Sequence, residues 1–201
     1  MNAGSGMAGA YALARGAPDW RDRLDMSAPA VFASFWALPL SLPAVILTSE
    51  LGRRTQVAAP GSEAIALAQS PGLFAVASAL AAILSWAGSL LILLTLARRE
   101  PEGWRISPLI VAYNWSRLIL NLLAGAGAAL AVAAGAMAIS AVVGAVVAGL
   151  TVWFDLGVIR NALGVPQGRA IGAELMILLA RGAAGVLVIV ALGALAQGLA
   201  A

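Results

Sequence analysis

The chain has 201 residues, 62% of them hydrophobic and only 10% charged, with a mean hydropathy of +0.95. A soluble domain carries about 25% charged residues, so there is too little polar side chain here to cover one. The absence of cysteine and histidine excludes disulfides, thiol chemistry, the Ser-His-Asp triad and thiolate or histidine metal and haem sites. The net charge is +3 and every basic residue is arginine. These arginines fall between apolar runs, as topology signals and headgroup contacts do, rather than in a nucleic-acid-binding patch.

Residues 1–29 read as a cytoplasmic or interfacial tail. Met1 to Gly9 has no positive charge and no apolar core ahead of a cleavage site, so no cleaved signal peptide is expected. The stretch from Pro18 to Met26 mixes charge with Trp20, Leu24 and Met26, a pattern shared by short interfacial helices and solvated leaders. Ser27 followed by Pro29 marks a helix start.

From residue 30 to 201 the pattern predicts an all-α, polytopic transmembrane bundle of about five spans. The first covers 31–48 and holds Pro39 and Pro43, which predict a kink. A polar loop from Glu50 to Pro71 follows, then a span over 72–97. A charged turn from Arg98 to Arg105 precedes Ser107 and Pro108. The chain is then apolar from Leu109 to Asn161. As one helix that run would be about 75 Å long against a hydrocarbon core of about 30 Å, so it folds back once. Gly135 is the natural break, giving spans at 109–130 and 137–160. A loop over 161–169 leads to the last span, 170–197.

With five spans, the tail, the 98–108 turn and the 161–169 loop share a side. That side carries Arg15, Arg21, Arg23, Arg98, Arg99, Arg105, Arg160 and Arg169, against Arg53 and Arg54 opposite. The excess predicts a cytoplasmic N-terminus.

Ionisable residues inside spans are costly and call for a partner. There are four, Arg117, Asp155, Glu174 and Arg181. Asn114, Arg117 and Asn121 share one face of the third span at i, i+3, i+7, flanked by Tyr113 and Ser116. Asp155 is the expected partner of Arg117, because the third and fourth spans form a hairpin. Arg181 leans toward its helix N-terminus and Glu174. The six residues Asn114, Arg117, Asn121, Asp155, Glu174 and Arg181 therefore form one candidate cluster, either lining a polar cavity or pairing to fix helix register.

Small residues recur at Ala141, Ala145 and Gly149, at Gly144 and Ala148, and at Gly182, Gly185 and Gly193. Such faces let helices approach closely, within the bundle or between copies. Trp36, Trp86, Trp104, Trp115 and Trp153 read mostly as interfacial belt residues. No phosphate loop, paired catalytic carboxylates or metal spacing occurs, so no cofactor and no enzymatic activity are expected.

Three stretches carry a resemblance: Ala112-Tyr113-Asn114-Trp115-Ser116-Arg117, Trp153-Phe154 leading to Arg160-Asn161-Ala162-Leu163-Gly164-Val165, and Asp25-Met26-Ser27. Together they resemble a group of small uncharacterised bacterial inner-membrane proteins of about this length. The five-span pattern with a cytoplasmic tail is also similar to the Ypt-interacting (Yip) membrane family, which is associated with membrane trafficking and shaping. That resemblance implies no catalytic residues. The resulting expectation is a non-enzymatic scaffold, membrane-organising factor or accessory subunit in the bacterial inner membrane. Its expected partners are the bilayer, and a protein or second copy meeting the small-residue faces. The alternative is a small transporter or channel component built on the charged cluster. A lipid-handling enzyme lacks the histidine and paired acids it would need.

Overall fold

The computed structural model describes residues 3–58, 66–100, 105–135 and 137–200. Among them the secondary structure is helical and no strand occurs. Nine helices are described: α1 (Ala3–Ala14), α2 (Trp20–Arg23), α3 (Ala28–Ser34), α4 (Ala37–Ala58), α5 (Ala66–Gln69), α6 (Pro71–Ala97), α7 (Ile106–Ala133), α8 (Met137–Leu163) and α9 (Gln167–Ala200).

Five segments are long and apolar enough to cross a membrane: Ala28–Arg54, Pro71–Ala97, Ile106–Ala133, Ala138–Leu163 and Gln167–Ala194. Only helices can do so in a single pass, because hydrocarbon offers the backbone no hydrogen-bond partner. The expected spans lie inside these segments, apart from residue 137 of the fourth and the final residues of the last. The helical segments extend further because helices continue past the apolar core into polar flanks. The expected Glu50–Pro71 loop is shorter than the sequence suggests, since α4 continues to Ala58 and α5 precedes α6; Pro60 and Gly61 lie outside the described residues.

Local chemistry accounts for the helix ends. Asp25 accepts the Ser27 N–H (3.0 Å), and Ser27 Oγ accepts the Ala30 N–H (3.4 Å), capping α3. The first span breaks at Phe35–Trp36, four residues before Pro39. Proline cannot donate to the Phe35 carbonyl, which instead accepts the Leu38 N–H at 3.2 Å in a tighter turn. The α7–α8 hairpin turns on Gly135 at φ +61°, and α8 ends on Gly164 at φ +65°. A side chain is strained in that region of backbone space.

Helix α4 packs on α7, α7 on α8, α8 on α9, α9 on α6, and α6 on α4. These pairings close the spans into a ring. The connections after α6 and α8 and the start of α3 lie at one end, the arginine-rich end. Arg105 donates there to the Leu163 carbonyl, and Arg169 bridges Glu100 at 2.9 Å.

The tail is packed more closely than a solvated leader. Instead of lying loose, α1 packs against α7 and α8 at the arginine-rich end. Ala10 and Leu13 are fully buried, and Trp20 and Leu24 just beyond are nearly so. Gly6 lies against the Trp115 ring and Gly157 of α8 against the Ala14 carbonyl, with no room for a Cβ at either. The Asn161 amide donates to the Leu13 carbonyl at 2.8 Å and to Ala14 at 3.2 Å, satisfying the end of α1. The first third of α7 is therefore buried on all sides, from Val111 to Ser116.

The small-residue series also differ from a bundle-packing reading. A Cβ on Gly144, Gly149, Gly182, Gly185 or Gly193 would meet nothing within 4 Å. Ala141, Ala145 and Ala148 are exposed. The close approaches are at Gly125, against Ala44, and at Gly127, against Val143.

Candidate functional site

The site is built on α7, whose inward face carries Tyr113, Asn114, Arg117 and Asn121 on successive turns. Asn114 is fully buried. Its Nδ2 donates to Ser34 Oγ of α3 (2.9 Å) and its Oδ1 accepts from Trp86 Nε1 of α6 (3.0 Å). Indole is only a donor, so this amide orientation alone satisfies both contacts. Ser34 in turn donates to the Val31 carbonyl at 2.7 Å. One asparagine thus ties the first three spans together.

About two turns from the end of α8, Asp155 ties the others. Its Oδ1 accepts from Arg117 Nη2, and its Oδ2 accepts from Arg181 Nη2 of α9 at 2.7 Å. Arg181 Nη2 also donates to the Tyr113 hydroxyl (3.0 Å), and the Arg117 guanidinium lies 5.1 Å from the Tyr113 ring centre. Glu174 is buried, with Oε1 3.8 Å from Arg181 Nη1. Two guanidiniums therefore face two carboxyl groups. A buried charge persists only when neighbours of opposite sign compensate its lost hydration.

Of the six candidates, the structure joins Arg117, Asp155, Arg181 and Glu174 into one ionic network and puts Asn114 in the adjoining amide network. Asn121 joins neither. It stands one turn beyond Arg117, on the wall of a cavity of about 250 Å³ between α4, α6, α7 and α9. The polar wall is made by Ser41, Ser85, Trp86, Arg117, Asn121 and Arg181, with no carboxylate among the lining residues. The two arginine side chains are 16% and 18% exposed while Asp155 is 0% exposed. The positive groups thus front the cavity and their counterion sits behind them. Its size suits several waters or one small solute. Arg117 Nε and both Glu174 carboxyl oxygens lack a hydrogen-bond partner among the described residues.

Three contributors were not expected at this site: Ser34, Trp86 and the Tyr113 hydroxyl. Trp86 lies mid-way along α6, far from either end, and a buried indole N–H needs an acceptor. That position was the readable signal, and it outweighs the belt assignment. Trp115 also leaves the belt, packing at 3% exposure against α1. Trp36 and Trp153 are exposed, and Trp104 lies outside the described residues. Ser116 is buried and turns back to the Tyr113 carbonyl (2.8 Å) instead of facing the cluster.

No protein-family model, curated protein or solved structure matches the chain.

Proposed function

We propose that this chain is a small transporter or channel component of the bacterial inner membrane, with its arginine-rich end in the cytoplasm. It holds a small anionic solute between the first, second, third and fifth spans. The observation that carries this reading is the cavity wall. Two guanidiniums and no carboxylate face a space bounded by four spans. Guanidinium N–H groups there are placed to donate to an entering oxyanion or halide. The arginine count at one end supports the orientation.

The absence of native cysteine makes a direct test clean. Ser85→Cys or Asn121→Cys is expected to react with a membrane-impermeant thiol reagent, because each faces the cavity. In proteoliposomes, flux of small monovalent anions is expected to be lost in Arg117→Ala. It is also expected to be lost in Ala82→Leu, which fills the cavity without touching a charge. An unreactive Ser85→Cys and Asn121→Cys, with no flux from the folded wild type, would sink this reading.

A second reading, a scaffold or accessory subunit as in the Yip-like comparison, draws on a different observation. A Cβ at Gly144, Gly149 or Gly182 would meet nothing within 4 Å among the described residues. It predicts a phenotype that follows loss of a partner and is indifferent to Ala82→Leu.

A further inference from the structure

A second concave site lies at the arginine-rich end, away from the central network. It is a groove of about 270 Å³ where the end of α1 meets α8 and the first turn of α9. Arg15, Arg160 and Gln167 supply its polar wall, and Trp153 and Leu156 its apolar one. Arg15, Arg160 and Gln167 are exposed. No acidic residue lines the groove. Neither arginine has an ion pair among the described residues; the Arg15 guanidinium lies 5.6 Å from the Tyr11 ring centre and acts on Asp19 only through a weak charge interaction.

The surroundings identify the phase that meets this groove. Tyr11 and Trp153 are 49% and 43% exposed, and their rings lie 6.2 Å apart across α1 and α8. Arg160 lies one turn from the end of α8, at headgroup depth, and Trp153 stands about 10 Å further in along the same helix. Further along α8, Val142 and Val146 are strongly exposed and meet acyl chains. The groove therefore opens at headgroup depth, with an apolar track running inward from it. Arginine recognises a phosphate with two parallel N–H donors, and two arginines on opposing helices can grip one from both sides.

We propose that this groove binds the phosphate of an anionic phospholipid. Arg15 and Arg160 hold the phosphate, Gln167 takes a headgroup hydroxyl, and one acyl chain lies along the outer face of α8. Bound lipid would then clamp α1 to α8, adding to the Asn161 contacts that already hold the end of α1.

The test uses the full chain in detergent micelles, mixed with equal amounts of phosphatidylglycerol and phosphatidylcholine. Retained lipid is counted by native mass spectrometry, and thermal unfolding is followed in parallel. Phosphatidylglycerol should be retained in preference to phosphatidylcholine. An Arg15→Gln, Arg160→Gln double variant should reduce that preference by about tenfold, the loss expected from removing charge-assisted hydrogen bonds. Leu156→Trp, which fills the groove and keeps both charges, should do the same. Equal retention of the two lipids, or full retention by both variants, overturns the proposal. Equal stabilisation by inorganic phosphate alone would assign the groove to free phosphate and overturn the lipid assignment.

Discussion

The two ends of the bundle are built differently. At the arginine-rich end, α1 fills the space against α7 and α8, and the glycines at 6, 9 and 157 are pressed against neighbours. Toward the opposite end Gly125 and Gly127 are pressed against Ala44 and Val143, but a Cβ at Gly135 or Gly144 would meet nothing within 4 Å among the described residues. The buried apolar clusters there are small: Leu51 with Ala128 and Ala131, and Leu67 with Ala77 and Val188. All five spans are strongly apolar along their length, so hydrophobicity does not explain the contrast. In lipid an apolar side chain gains little by meeting another helix, since acyl chains are as apolar as leucine. What specifies one arrangement is close backbone contact and polar groups that have no other partner. Close glycine contacts occur toward both ends, but the buried polar side chains Ser34, Asn114, Ser116, Asp155 and Glu174 are concentrated from the arginine-rich end to the level of Arg117.

The sharpest way to break that contrast is at the shared counterion. Asp155→Asn leaves two arginines facing each other without their carboxylate, and a loss of about 3–5 kcal/mol is expected. Reversible unfolding in mixed micelles measures it. A loss below 1 kcal/mol would mean that cavity water already screens the pair. Next is a matched pair of glycines. Gly157→Val drives a side chain into the Ala14 backbone and should cost about 1–3 kcal/mol, with α1 becoming open to proteolysis. Gly144→Val at the loose end should stay within about 0.5 kcal/mol. Equal costs at both positions would erase the distinction between the ends.

Trp86→Phe tests the amide network with less force. It removes the donor to Asn114 and keeps the ring, so a loss of about 1 kcal/mol is expected, because Trp86 borders the cavity and water can replace the indole. The smallest effect is electrostatic and local. The Ser27 backbone N–H, and then its hydroxyl, hold the Asp25 carboxyl below the ordinary carboxylate range. A lowered folded-state value means this contribution is complete above the unfolded value and fades as pH falls through the folded one. Amide exchange at Ala30 should therefore quicken below about pH 4, while exchange in the middle of α7 stays unchanged. Uniform quickening across the chain would point to acid unfolding of the whole bundle instead.

Much of this architecture is legible without coordinates. The fold-back between Leu109 and Asn161 follows from bilayer thickness, and Gly135 is the turn because it is the glycine mid-way along that run, free to take positive φ. The Ser27 cap and the proline-driven break in the first span are equally local. Within the site, Arg117 with Asp155 was readable from hairpin adjacency. The sharing of Asp155 by Arg181 was not, since helical spacing pointed Arg181 at Glu174 and no local rule says which span lies alongside α9. The burial of Trp86 and the seating of α1 are not legible for one reason: apolar residues near a membrane look alike whether they face lipid, headgroups or another helix.

Taken alone, the order of residues determined how many times the chain crosses and where each crossing starts and turns. Those features depend on backbone hydrogen bonds that hydrocarbon forces to be made within a few residues. Only the tertiary structure decided the ring order of the spans, the seating of α1, which glycines are compressed, and that two arginines lean on one aspartate with a cavity before them. Such features depend on neighbours far apart in the chain, selected by a few polar contacts and close backbone approaches that an almost uniformly apolar sequence does not distinguish.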